Sequence, residues 1–316
     1  MRPRKVYPPV DASFEDVLTA IADENMPAIE AAEARPFLKW AGGKRSVLHE
    51  LIPRMPAEYD AYCEPFLGGA ALFFAVQPKK AYLSDLNFHL VLTYIAVRDD
   101  AERLITNLKN HEARHSDLKQ REEFYLKART RIAKEEDATK IGALLIYLNK
   151  TCYNGLYRVN RTGAFNVPMG SYVQPTIVDE KNLRSCAKAL KGVQIMHHPF
   201  QQTPIRKGTF YYLDPPYHKT FSSFDSSGFD DGDHEKLAKF CRELDAAGCS
   251  FMVSNSNTPL IKKLYDGFTI EAIKAGRFIS CKGEQRVKET ELLIRNYSTF
   301  QRKEGAENGQ SSGEVR

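Results

Sequence analysis

Short apolar and aromatic runs recur along the chain, and each stops at a glycine, a polar turn or an acidic residue. The clearest lie at 62–64 before a Gly-Gly turn, 81–84 before Asp85, 209–213 before Asp214, 250–253 before Ser254-Asn255, and 290–294. Runs of this length, rich in Tyr, Phe, Val and Leu, read as buried strands. Between them apolar positions recur at helical spacing, as at 234–244 and 259–265. Strand and helix in alternation predict an α/β fold, an open sheet whose ligands gather at the carboxyl ends of its strands.

The rhythm breaks over residues 87–178. This stretch is charged and helical in pattern at 101–108, 121–134 and 141–148, then turns polar, aromatic and glycine-punctuated in YNGLYRVNRTGAFNVPMG at 153–170. It reads as a second, mainly helical domain inserted into the α/β core. The core then comprises 35–86 and 179–300. Residues 1–34 mix Pro, Ala and acids without a core-like strand and read as a loosely attached extension. Residues 301–316, rich in Gly, Ser, Glu and Gln, read as a disordered tail.

Composition narrows the setting. Of 316 residues, 42% are hydrophobic, enough for a substantial core, and the net charge of +5 leans mildly toward a polyanionic partner. The six cysteines are scattered without a CxxC pair, which favours a reducing, intracellular setting over a zinc site or disulfide framework. No apolar run approaches the roughly 18 residues a membrane span needs. The expectation is a cytoplasmic protein with no membrane association and no metal. His197-His198 lack a neighbouring array of cysteines or carboxylates, and Asp230 to Asp233 read as a helix N-terminus.

The chemistry concentrates in three motifs. In Asp214-Pro215-Pro216-Tyr217 an aromatic strand delivers a carboxylate to the sheet edge, and two prolines stiffen the turn without donating N–H groups. A carboxylate beside an outward carbonyl accepts both hydrogens of an exocyclic amine and aims its nitrogen at an electrophile. Tyr217 offers a face for a planar base. Taken alone, the prolines need mean no more than a stiff turn after a strand. In EPFLGGA (64–70) a Gly-Gly pair lets backbone approach a ligand. Asp85, roughly 20 residues on, stands where dinucleotide-binding folds place a ribose-binding acid, and equally where an acid caps a helix beginning at Leu86. In FLKWAGGK (37–44) the chain's single Trp accompanies a Gly-Gly turn and two lysines. The indole suits packing on a cofactor or its cationic centre, and a lysine suits a carboxylate or a phosphate; a loop with a core Trp is the plainer reading. Arg158 and Arg161 among Tyr153, Tyr157 and Phe165 form a basic-aromatic interleave suited to a nucleic-acid groove.

Taken in order, FLKWAGGK, EPFLGGAALFF, LSDLN, YNGLYR with FNVPMG, and YLDPPY resemble the adenine-N6 DNA methyltransferases of the Dam type (D12 class), a likeness that spans about 35–297. The resemblance implies a Rossmann-like S-adenosylmethionine (AdoMet) domain with an inserted, mainly helical target-recognition domain carrying a β-hairpin. It implies a site-specific, adenine-specific DNA methyltransferase that acts on a base flipped out of duplex DNA. AdoMet contacts fall on Trp40, Lys44, Phe66, Gly68, Asp85 and Asp214. The adenine pocket falls on Asp214, Pro215, Pro216 and Tyr217. Lys39, Leu156, Arg158 and Pro168 match residues that read GATC in family members, and Tyr153 and Asn154 match residues inserted at the flipped base. The family's Phe-x-Gly-x-Gly pattern departs here at Ala70, where a positive φ would cost stability.

Two further readings stand beside this one. Related tetrads serve other planar amines and amides, so an AdoMet-dependent methyltransferase of RNA or a protein glutamine is the near alternative. A DNA-binding regulator that has lost catalysis is the distant one. A bacterial or phage origin, a monomer on double-stranded DNA and a cognate restriction endonuclease as candidate partner complete the expectations.

Overall fold

The computed structural model describes residues 33–219, 228–274 and 290–298. The expectations for 1–32 and for the C-terminal tail lie outside the described residues.

Strands β1 (Ala61–Glu64), β2 (Ala81–Asp85), β3 (Gln194–His197), β4 (Thr209–Leu213), β5 (Ser250–Ser256), β6 (Thr269–Lys274) and β7 (Thr290–Arg295) form one sheet. Its order is β3-β2-β1-β4-β5-β7-β6. Neighbours from β3 to β5 pair in parallel, while β7 runs antiparallel between β5 and β6. The strand order reverses between β1 and β4, which makes the carboxyl ends of these two strands the natural ligand site.

Side-chain alternation explains why the central strands read as continuous apolar runs. Tyr62, Leu83, Phe210, Tyr212, Met252 and Leu293 point into one core, and Cys63, Tyr82, Tyr211, Leu213, Phe251, Val253 and Leu292 into another. A parallel sheet covered on both faces needs apolar residues at every position. The first core is closed by α1 (Leu48–Leu51), α2 (Ala71–Val76), α3 (Phe88–Asp99), α4 (Ala101–Ser116), α5 (Arg121–Arg131), α6 (Ala138–Thr151) and α7 (Glu180–Leu190). The second is closed by α8 (Asp231–Ala246) and α9 (Pro259–Leu264). β6 escapes the apolar-run rule because, as an edge strand, only Ile273 is buried.

Five helices, α3 to α7, separate β2 from β3. α6 is apolar almost all round and forms the spine against which α3 and α4 pack. The side chains of Asn87, Asp100, Asp137 and Asp179 cap α3, α4, α6 and α7, each accepting a backbone N–H three residues on, at about 1 kcal/mol apiece. Asp230 and Asp233 form a reciprocal capping box on α8. The cap of α3 is thus Asn87, not Asp85, which leaves the Asp85 carboxylate for the site.

The segment after α6 folds back as a narrow ribbon rather than a fully laddered hairpin. Isolated antiparallel bridges join Cys152 to Met169 and Val159 to Phe165. α5 supports it from below, with Tyr125 Oη donating to the Val167 carbonyl at 2.9 Å.

Candidate active site

β4 ends at the switch point and delivers Asp214 there. Asp214 Oδ1 lies 2.9 Å from Lys44 Nζ, and Lys44 Nζ also stands 4.7 Å from the centre of the Tyr217 ring. Tyr217 Oη donates to Glu291 Oε2 at 2.8 Å. Burial pushes the Asp214 carboxyl up to about 6; Lys44 opposes that rise and the Glu291 carboxylate adds to it. The arrangement holds a cation between a carboxylate and an aromatic face.

The residue after the tetrad is anchored on three sides. The His218 N–H donates to Asn255 Oδ1 at 3.1 Å, its Nδ1 lies 2.7 Å from Thr258 Oγ1, and its Nε2 lies 3.1 Å from Asp231 Oδ1. The tetrad is therefore tied to the end of β5, where Asn255 is fully buried, and to the start of α8.

Asp85 closes β2 and clamps the glycine turn that follows β1. Its Oδ2 accepts the Gly68 N–H at 3.1 Å and its Oδ1 the Asn87 N–H at 2.9 Å. Burial raises the Asp85 carboxyl and these backbone donors lower it. Gly68 has φ +46, and a Cβ there would come 3.1 Å from Trp40 Cδ1; glycine is what allows the indole to lie against the turn. Trp40 stacks on Tyr157 at 5.4 Å. Phe66 packs with Phe200 and Phe229. Ala70 does adopt the left-handed conformation, with φ 51. Leu86 and Phe88, which follow Asp85, are more than half exposed. Beneath the turn Glu64 is fully buried, accepts bonds from Tyr62 Oη and the Phe73 N–H, and is pushed by burial up to about 8.

The residues matched to base reading gather at one seam. The Lys39 N–H donates to Asn149 Oδ1 at 2.8 Å, and Asn149 Nδ2 donates to the carbonyls of Lys39 at 2.7 Å and Gly155 at 2.9 Å. Gly155 (φ +64) has no room for a Cβ, which would come 2.7 Å from Lys39 Cβ. The Tyr153 N–H donates to the Pro168 carbonyl at 2.9 Å, and Asn154 is left-handed with φ 53. Arg158 Nε donates to Asn166 Oδ1 at 2.7 Å across the ribbon. Leu156 packs against the core from the seam's rim. Beside Lys39 a cavity of about 470 Å³ is lined by Arg35, Arg45 and Lys150 with Asp179. Burial and the nearby Lys39, Arg35 and Arg45 lower the Lys150 ammonium, with Asp179 opposing.

Three of these residues, Asn149, His218 and Glu291, carry little local sequence signature. A faint signal existed for Asn149, a polar residue on the buried stripe of an apolar helix, and for Glu291, a charge opening an apolar strand. His197 and His198 bond to the carbonyls of Leu86 and Pro199. Among the described residues no group of three or more His, Cys, Asp or Glu gathers at metal-binding distance, and no helix is long and apolar enough to cross a membrane.

Comparison with known proteins agrees with this geometry. The sequence model of the D12 class N6 adenine-specific DNA methyltransferases matches residues 40–279. The type II methyltransferase M.MjaIII of Methanocaldococcus jannaschii is 44% identical over 84% of this chain and 100% of its own length. A DNA adenine methylase of Vibrio cholerae is 32% identical over 82% of this chain and 95% of its own. The type II methyltransferase M.CviBI of Paramecium bursaria Chlorella virus NC1A is 31% identical over 83% and 100%. With a sheet reversing at β1/β4 and a carboxylate-aromatic tetrad at that reversal, this chain belongs to the D12 class of N6 adenine-specific DNA methyltransferases.

Proposed function

We propose that the protein transfers a methyl group from AdoMet to N6 of an adenine flipped out of duplex DNA, within GATC. The observation that carries the reading is the pairing of Asp214 and Tyr217 around a cation at the reversal point of the sheet.

The donor set fits AdoMet. Its nucleoside needs an acceptor for two ribose hydroxyls and an apolar surface for the base; Asp85 has lone pairs beyond those its backbone donors occupy, and Leu86 and Phe88, just after it in the chain, are exposed. Its sulfonium needs the kind of environment that here holds the Lys44 ammonium. Phe66, Gly68 and Trp40 would line the site, and Lys44 would take the methionyl carboxylate. Once bound, AdoMet supplies a methyl carbon on a sulfonium leaving group, so that the amine nitrogen gains carbon and loses one proton while the electron pair of the broken bond stays with sulfur.

The chain's own residues do the rest by positioning. Adenine N6 is out of reach inside a duplex, so the base must leave the stack. Tyr153 and Asn154 would stand in for it, and the basic cavity beside Lys39 supports a backbone phosphate nearby. Tyr217 stacks the base, while Asp214 and the Pro215 carbonyl accept the two N6 hydrogens. Asp214, raised toward neutrality, is also the group poised to receive the proton the amine sheds.

The test is methyl transfer to duplex DNA, RNA and protein in parallel, with mapping of N6-methyladenine in DNA of an expressing host. Methylation of duplex DNA at GATC, lost in Asp214→Ala without loss of duplex binding, is expected. Near-normal turnover by that variant would overturn the assignment, and a different mapped motif would overturn GATC alone.

A further inference from the structure

β7 is the strand that runs against its neighbours, and this reversal has a consequence for the site. A strand running backwards brings its first residues, not its last, to the edge where the parallel strands end. Glu291, second in β7, pairs in register with Ser256 at the end of β5. It is 7% exposed, and its carboxylate accepts the Tyr217 hydroxyl at 2.8 Å. A carboxylate this deep ordinarily loses hydration for nothing unless its hydrogen bonds repay it.

We infer that Glu291 is a positioning residue for the acceptor base: it fixes the plane of the Tyr217 ring and sets a second negative charge beside Asp214, so that the site favours a nitrogen carrying positive charge. The inference rests on the methyl-transfer reading above. Glu291 holds the Tyr217 hydroxyl alongside Asp214, whose carboxylate the same side chain bonds, and a stacking platform held less firmly orders its base less well. The charge matters separately. While the amine nitrogen bonds to carbon it carries positive charge until its proton leaves, and fixed carboxylates facing it stabilise that moment. Asp214 is faced by Lys44 from the N-terminal motif, Glu64 from β1, Tyr212 from β4, Tyr217 and Glu291. Two carboxylates at this edge thus face one lysine, with Glu64 contributing according to its protonation.

The two contributions separate in two substitutions. In Glu291→Gln the amide carbonyl still accepts the Tyr217 hydroxyl, but the charge is gone. In Glu291→Ala both are gone. Two measurements on the full chain read them. The first is fluorescence of a duplex carrying 2-aminopurine in place of the adenine that the wild type methylates, without methyl donor, which reports base capture. The second is the single-turnover rate of methyl transfer as a function of pH.

Glu291→Ala should lose most of the capture signal and slow transfer on the order of tenfold to a hundredfold. Tyr217→Phe, which also removes the bond to Asp214, should lose at least as much, and the double variant should be little worse than Tyr217→Phe alone, because the Glu291 bond is then already gone. Glu291→Gln should keep the signal yet move the acid limb of the rate profile to lower pH, since a like charge has left the surroundings of Asp214. Capture, plateau and acid limb all at wild-type values in both Glu291 variants would overturn the inference, as would strict additivity with Tyr217→Phe. If Glu291→Ala does not fold, Glu291→Gln decides: an unmoved acid limb refutes the charge, and a lost capture signal in that conservative variant refutes the bond. Failure of the wild type to methylate any duplex would instead refute the parent reading.

Discussion

Replacing Lys44 with methionine tests the electrostatics of the site most directly. Lys44 Nζ stands 2.9 Å from Asp214 Oδ1, with side chains only 6% and 20% exposed. At that separation and an effective dielectric of about 20 the attraction is on the order of 6 kcal/mol before the cost of desolvating the pair. An opposite charge so near typically holds a carboxyl roughly one to three pKa units below where it would otherwise sit. Burial nevertheless brings Asp214 up to about 6 with Lys44 in place. Methionine keeps the aliphatic stem and removes the charge, so Asp214 should rise by roughly one to three units. In the proposed reaction the carboxylate accepts the amine hydrogens, so activity should be lost as pH falls through the Asp214 pKa. Single-turnover methylation at saturating AdoMet should show an acid limb near the value of about 6 in the wild type, displaced upward by about one unit or more in Lys44→Met. A raised KM for AdoMet with an unmoved acid limb would mean that Lys44 serves the donor alone, and would refute the coupling.

Four further outcomes follow from the geometry. Asn149→Ala removes three bonds that join Lys39 to Gly155; it should cost about 2–4 kcal/mol of stability and relax site discrimination, so thermal melts and methylation of near-cognate duplexes at wild-type values would contradict the role. Arg158→Ala should cost about 1–3 kcal/mol of preference at one base pair, and unchanged selectivity would remove it from base reading. Lys150→Ala should lower the salt slope of duplex affinity by about one, and an unchanged slope would take the cavity out of the DNA interface. Burial raises Glu64 from its ordinary 4.5 to about 8, so the stability tied to its protonated form is fully present below about pH 4.5 and lost as pH rises through about 8. The stabilising effect of Glu64→Gln, which keeps the same acceptor geometry, should therefore grow from acid to alkaline pH in thermal unfolding, and a constant difference would exclude the linkage.

What the sequence made legible was whatever one segment carries by itself. Asp214 and Tyr217 follow an aromatic strand whose every residue is buried, so the strand and its cargo are read together. Asp85 announced itself in the same way, although its alternative duty as a helix cap passed to Asn87, two residues on. Glu291 and Asn149 were not legible, because their partners lie 74 and 110 residues away; only the reversed strand and the packing of α6 on the N-terminal motif bring them there. The basic cavity is of the same kind. Arg35, Lys39 and Arg45 are close in sequence, but Lys150 joins them from the end of α6. The ribbon at 153–170 has the turn chemistry of a hairpin but few bridges, and one of its backbone carbonyls, that of Val167, bonds Tyr125 of α5 instead of a facing strand.

Ala70 shows how far a motif can depart without losing its geometry. An L-residue in the left-handed region costs about 1–2 kcal/mol, and Ala70 pays it at φ 51 and ψ 39. Its methyl is 3% exposed, and burying one such group returns about 0.8 kcal/mol. That offsets part of the strain, so alanine can stand where the family pattern carries glycine. The conformation itself is imposed from outside residue 70: its N–H bonds the Leu67 carbonyl at 2.8 Å, Asp85 holds the Gly68 N–H, and Tyr94 Oη holds the Gly68 carbonyl at 3.1 Å. A ligand meeting this turn meets its backbone, and that backbone is set by Asp85 and Tyr94. Asp85 therefore shapes the glycine turn while keeping lone pairs for the ribose proposed above, and the glycine least open to change is Gly68, where φ +46 and the Trp40 ring 3.1 Å from a Cβ both oppose a side chain.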